Sequence, residues 1–173
     1  MIITVENLKK QVDCGDTTDE VIIAKLEAIE AVIRAYTNNN FQRRGIRFAG
    51  RSENLSVYGS PRYFAVGDTV QISGSCVNDG LYIVTAVYDD HIEVDKPLMD
   101  YHFNLVTKIH YEADVVQCAV DLYKWKQTMG AKVGIKSETL SRHSVTYEDS
   151  TTLYMGYPVG ILNGLHLHKK ARC

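Results

Sequence analysis

Two stretches of helical periodicity, separated by residues 41–110 that lack it, constrain this chain most. In the first, Ile22, Leu26, Ile29, Ile33 and Tyr36 recur at alternating intervals of four and three, which keeps them on one helical face. Thr17-Thr18-Asp19-Glu20 reads as a capping box, the threonine hydroxyl taking the amide three residues on and Glu20 reaching back. Thr37 and Asn38-Asn39-Asn40 stop this helix, and Val21, Ala28 and Val32 widen its stripe, which predicts burial on more than one side. Upstream, Thr4 to Lys10 reads as a short capped helix with Leu8 and Val12 packing inward. In the second stretch, from about Glu112 to Met129, Val116, Ala119, Val120 and Tyr123 share a face. Asp114 lies near its positive end, Lys124 and Lys126 near the other, and Gly130 ends it.

Between these helices the pattern changes twice. Residues 41–62 carry Arg43, Arg44, Arg47, Arg51 and Arg62 against Glu53 alone, and Gly45, Gly50, Gly59 and Pro61 argue against a long regular element there. Alternation then takes over. Tyr63 to Ser73, Leu81 to Tyr88, His91 to Asp95 and Phe103 to His110 read as short strands, with turns at Asn78-Asp79-Gly80 and Asp89-Asp90. Residues 79–100 are acidic, with Asp79, Asp89, Asp90, Glu93, Asp95 and Asp100 against Lys96. After the second helix, Ile135 to Tyr147 is polar and strand-like. Gly156-Tyr157-Pro158 opens a last short helix with Pro158 in its first turn, Ile161, Leu162 and Leu165 along its apolar edge, and a basic end.

The expected fold is a mainly α, small helical bundle with an inserted small antiparallel β-barrel or curled sheet, α+β overall. Residues 1–54 and 111–173 form the helical core and 55–110 the inserted β subdomain. A chain of 173 residues can bury roughly 70% of its unfolded surface without a disulfide or metal staple.

The 19 Lys+Arg and 21 Asp+Glu give a net charge of −2, which argues against gripping nucleic acid over a broad basic face. No apolar run reaches the ~18–20 residues of a membrane span, so no membrane partner is expected. The opening MIITVENLKK lacks the pattern of a signal peptide. Cys14, Cys76, Cys118 and Cys173 stand too far apart for a metal knuckle or redox motif and are expected reduced.

Motifs for covalent chemistry are missing. There is no phosphate-binding Gly-Lys-Ser loop and no dinucleotide fingerprint, and Gly74-Ser75-Cys76 lacks the spacing of a nucleophile elbow. His166 and His168 would diverge on a helix, and the aspartates of 89–100 lack a calcium-loop cadence. The expectation is no enzyme activity, no cofactor and no metal. Arg43, Arg44, Arg47 and Arg51 are candidates for a subunit interface or for DNA phosphates. Asp89, Asp90, Glu93 and Asp95 are the acidic counterpart, and such opposite patches can pair on neighbouring copies, head to tail, into a ring.

The order of elements resembles the head–tail connector (adaptor, or head-completion) proteins of tailed bacteriophages. Three stretches carry the likeness. They are Ile3–Lys10 with Asp16–Glu20 leading into the Ile22–Tyr36 helix; the 112–129 helix with its Tyr-Lys-Trp-Lys tail; and Ile135–Tyr147, whose Ser-Glu-x-Leu…Ser-Val-x-Tyr pattern is the most distinctive, followed by Gly156-Tyr157-Pro158 and the terminal leucines. The β insertion departs from a compact connector. The resemblance implies a structural virion protein of the neck, assembled from the host cytoplasm. Copies would form a dodecameric ring under the portal protein, extend the channel for packaged double-stranded DNA and dock a stopper or tail-completion protein. Leu165, Leu167, Lys169, Lys170 and Arg172 are the portal-docking candidates, and the acidic residues would suit a channel wall. The alternatives are another neck or tail-completion protein, stopper-like, and a DNA-binding accessory protein using Arg43–Arg51.

Overall fold

The structure, a computed structural model, describes residues 1–129, 137–140, 143–146 and 153–171. The chain divides into two units, one made of Met1–Asn39 with Tyr111–Cys173, the other of Asn40–His110.

In the first unit, α1 (Val5–Lys9) starts at Thr4, whose hydroxyl accepts the Asn7 N–H at 3.3 Å, and Leu8 is fully buried. Helix α2 (Asp19–Thr37) begins after Thr18, which makes no side-chain capping bond, so the expected capping box does not form. Its acidic first turn still complements the helix dipole. Ile22, Leu26, Ile29 and Ile33 are fully buried, as the periodicity requires. Asn38, left-handed at φ 48°, ends the helix. Helix α3 (Ala113–Met129) buries Val115, Ala119, Val120, Leu122 and Tyr123, while Val116 is only half-buried. Gly130 lies outside the described residues.

Strands β5 (Ser137–Leu140) and β6 (His143–Thr146) pair with each other within the segment read as strand-like, whose remaining residues lie outside the described ones. Next comes a tight hairpin of β7 (Leu153–Tyr154) and β8 (Tyr157–Pro158), whose loop residues Met155 and Gly156 both take positive φ, at 50° and 81°. Pro158 caps α4 (Val159–Leu162), and a 3₁₀ helix (Asn163–His168) follows, burying Leu162 and Leu165.

The second unit is a four-stranded antiparallel sheet of β1 (Gln42–Tyr58), β2 (Thr69–Ser73), β3 (Gly80–Val87) and β4 (His91–Ile109), ordered β1-β4-β2-β3 with a further β3–β4 pairing. The sheet folds over its own core of Phe48, Val57, Phe64, Val70, Ile72, Val84, Ile92, Val94 and Val106. The Phe48 and Phe64 rings meet edge to face at 5.4 Å.

The chain is therefore α+β, about 34% helical and 36% strand, not mainly α, and its sheet does not close into a barrel. The difference arises at 41–58, read as irregular, and at 96–102, read as a gap between strands. Both belong to long strands that pair along their length, with register shifts near Gly50 and Asn54. Inside β1, Gly50 marks a close approach rather than a break, and Gly59, just past the strand's end, marks another. A Cβ at Gly50 would lie 1.5 Å from the Tyr58 carbonyl oxygen, and one at Gly59 would lie 2.4 Å from the Phe48 ring. Residues 40–54, grouped with the helical core in the sequence reading, accordingly fall in the β unit.

Candidate functional site

On the β unit, strand pairing sets Tyr58 of β1 opposite His91 of β4 and builds a ladder of flat groups. The Arg51 guanidinium lies 4.2 Å over the Tyr58 ring, Tyr58 and His91 have centroids 5.1 Å apart, and His91 stacks on Tyr88 at 4.3 Å and 12°. Charged partners hold Arg51 at one end and His91 within it. Glu53 pairs with Arg51 at 2.8 Å, and Asp90 meets His91 Nδ1 at 2.7 Å. The hydrogen bond with His91 keeps the Asp90 carboxyl below the usual range. Arg51 from the basic stretch and Asp90 from the acidic one thus serve the same ladder within one chain. Tyr58 carried no sequence signal, because the pairing that joins it to His91 links positions far apart in the chain, whereas Tyr88 and His91 flank the Asp89-Asp90 turn read from the sequence.

The other sequence-predicted charges are less engaged. Arg43, Arg44 and Arg47 are exposed along β1 and form no ion pair among the described residues. Asp89 is exposed in the β3–β4 turn, Glu93 is half-buried opposite Ser56, and Asp95 accepts the Ile83 N–H at 2.8 Å.

Where β1 and β4 run together between residues 51 and 104, a buried polar cluster fixes them. The Asn78 side-chain amide donates to Ser52 Oγ, the Met99 carbonyl and Asn104 Oδ1 at 2.9–3.0 Å, and accepts the Met99 N–H at 2.8 Å. Asp79 fixes the preceding loop by accepting from Ser75 N–H, Ser75 Oγ–H and Cys76 N–H. That loop holds Cys76 at φ 65°, a left-handed conformation disfavoured for a residue with a Cβ, and Gly74 at φ 85°, which glycine adopts freely. Outside the cluster Val77, Met99 and Phe103 face solvent.

In the helical unit, the C-terminal segment that holds the portal-docking candidates straps onto the end of α2. Lys170 N–H donates to the Thr37 carbonyl at 2.8 Å, Asn38 Nδ2 to the Lys170 and Ala171 carbonyls, and Asn39 Nδ2 to the His168 carbonyl. His168 meets Asp114 at 2.7 Å, the Lys169 ammonium lies 3.8 Å from the Tyr36 ring centroid, and Leu165 is buried. Leu167 stands out at 81% exposure. Arg172 and Cys173 lie outside the described residues. Nearby, Glu30 is buried and accepts the Tyr111 hydroxyl at 2.6 Å with Arg34 at 3.7 Å, and burial together with the Glu30 charge pushes the Tyr111 pKa strongly upward.

The widened stripe of α2 is buried only in part. Val32 is inside, whereas Val21 and Ala28 are exposed with Ala24, Ala31 and Ala35. Val21, Ala24, Ala28, Lys126 and Tyr157 line an open groove of about 550 Å³.

The thiols offer no paired nucleophile among the described residues. Cys14 and Cys118 are buried, and burial, with Asp121 and Asp114 nearby, pushes the Cys118 thiol up to about 12. His166 turns to the Asn163 carbonyl while His168 takes Asp114, so the two imidazoles do not converge. Among the described residues no group of three His, Cys, Asp or Glu is placed to hold a metal ion, and no helix is long and apolar enough to cross a membrane.

No family model and no curated protein matches this chain.

Proposed function

We propose that this chain is a structural protein of a tailed-bacteriophage virion, a head–tail connector that assembles as a ring beneath the portal protein and docks the stopper or tail. The observation that carries the reading is how the resembling stretches fold. The resemblance covers 1–50 and 111–173, and the described residues of 1–39 and 111–171 fall in one unit, with the β unit inserted in the chain between α2 and α3. An element order shared across two distant segments is what a common helical core with a variable insertion would leave in a sequence. In this role the protein works by assembly and not by covalent chemistry. Each copy contributes a wall element to the DNA channel and binding surfaces above and below.

The test is deletion of the gene from an inducible prophage, followed by electron microscopy of the lysate. The connector reading expects DNA-filled heads without tails beside free, finished tails. Normal infectious particles would contradict it.

A second reading has one observation in its favour. Arg43, Arg44 and Arg47 are three exposed guanidiniums of β1 without ion pairs among the described residues, the chemistry that meets DNA phosphates. If duplex DNA is the ligand, binding weakens steeply with salt, and replacing all three by Gln removes it. Salt-independent or unchanged binding would reject this reading.

A further inference from the structure

Among the exposed apolar side chains of the β unit, which also include Leu55, Tyr63, Val66 and Tyr88, Val77, Met99 and Phe103 stand on a rigid support, 50%, 63% and 43% exposed. None is free to collapse inward. Val77 stands in the loop that Asp79 fixes, both Met99 backbone groups are bonded to Asn78, and the Phe103 ring lies 3.2 Å from where a Gly74 Cβ would be. The carboxylates beside this patch are Asp79 and Asp100. Burial works against the Asp79 charge, but hydrogen bonds from Ser75, Cys76 and Gly74 outweigh it and keep the group ionised.

In the helical unit, where Val21 and Met155 are also exposed, Leu167 is the most exposed large apolar side chain among the described residues, at 81%. The strap contacts of His168, Lys169 and Lys170 fix its backbone. His166 and Lys170 are exposed on either side of it, Lys170 engaged through its backbone N–H.

We propose that Leu167 of one protomer seats among Val77, Met99 and Phe103 of the next, with His166 and Lys170 facing Asp79 and Asp100. This rests on the connector reading, in which copies must meet side by side. The occupant is a second copy because the chain itself supplies both complementary halves, an apolar anchor with basic flanks and an apolar patch with acidic flanks. Both halves are pre-organised, so little ordering cost opposes association. The two surfaces differ, so the contact is head to tail, and it closes into a ring when the rotation between copies allows.

The test uses the full chain in a Cys173→Ser background, with Leu167→Cys added, beside the native exposed thiol of Cys76. Mild oxidation is expected to give a ladder of dimers, trimers and larger species on denaturing gels, and adding Cys76→Ser abolishes it. In parallel, Leu167→Asp and Met99→Asp each weaken self-association at least tenfold by sedimentation, while circular dichroism stays unchanged. Leu167→Ala serves as the milder variant should Leu167→Asp fail to fold. Cross-linking independent of Cys76, or oligomers that survive both aspartate variants, would overturn this contact and leave the connector reading standing. A chain that stays monomeric at every concentration would overturn it too, and the deletion lysate then decides the connector reading separately.

Discussion

The side-chain amide of Asn78 pairs with the Met99 backbone in both directions, accepting its N–H at 2.8 Å and donating to its carbonyl at 2.9 Å. An amide side chain here stands in for a neighbouring strand, at a stretch of β4 where neither β2 nor β3 continues the ladder. Asn78→Ala would leave the Met99 N–H and Asn104 Oδ1 without these partners in a buried or partly buried place, while the Ser52 hydroxyl keeps its bond to the Met99 carbonyl at 2.6 Å. Such losses cost about 1–3 kcal/mol for each unsatisfied group, with partial relief from water. Urea unfolding is expected to show a loss of about 2–4 kcal/mol. A change within experimental error would mean the cluster is not needed to hold the strands.

The Gly50 contact makes a sharper prediction. A methyl group there would overlap the Tyr58 carbonyl, which is backbone and cannot swing away. Gly50→Ala should destabilise the β unit by more than about 3 kcal/mol. Gly45→Ala meets nothing within 4 Å and should change stability by less than about 1 kcal/mol. Equal effects at the two positions would contradict the described path of β1.

The His168–Asp114 pair gives the strap a pH dependence. The hydrogen bond from His168, with help from the Val115 N–H, lowers the Asp114 pKa. A carboxyl with a depressed folded pKa contributes stability above its unfolded value, near ~3.9, and loses it as pH falls through the folded value. Nuclear magnetic resonance titration should place Asp114 below the ordinary carboxylate range, and His168→Ala should return it upward. An Asp114 titration unmoved by that substitution would rule the pair out. Asp114 is well exposed, so the effect on global stability should be small.

Thiol labelling separates the cysteines. Cys76 is exposed and should react promptly at pH 8. Cys14 and Cys118 are buried, and the Cys118 thiol is held protonated, so both should label only as the protein opens. Mass mapping of the labelled peptides checks this, and rapid labelling of Cys118 in the folded protein would contradict the packing of α3.

The helices were legible because their signal is local. Spacing alone places Ile22, Leu26, Ile29 and Ile33 on one face, and all four are buried. The length of β1 was not legible, because Gly50 reads as a breaker when it instead admits the Tyr58 carbonyl. The ladder from Arg51 to Tyr88 was hidden for a related reason: Tyr58 and His91 meet only through strand pairing. The tether at the end of α2 was half visible. Asn38 and Asn39 read as a helix stop, but their acceptors on His168, Lys170 and Ala171 lie at the far end of the chain.

Complementation in vitro tests the connector reading most directly. DNA-filled heads from a lysate lacking this gene are mixed with free tails, with and without the purified protein, and plaques are counted. The account predicts that infectivity rises by orders of magnitude only when the protein is present, and that particles with joined tails become visible by electron microscopy. Heads that join tails equally well without it would contradict the assignment to the head–tail joint.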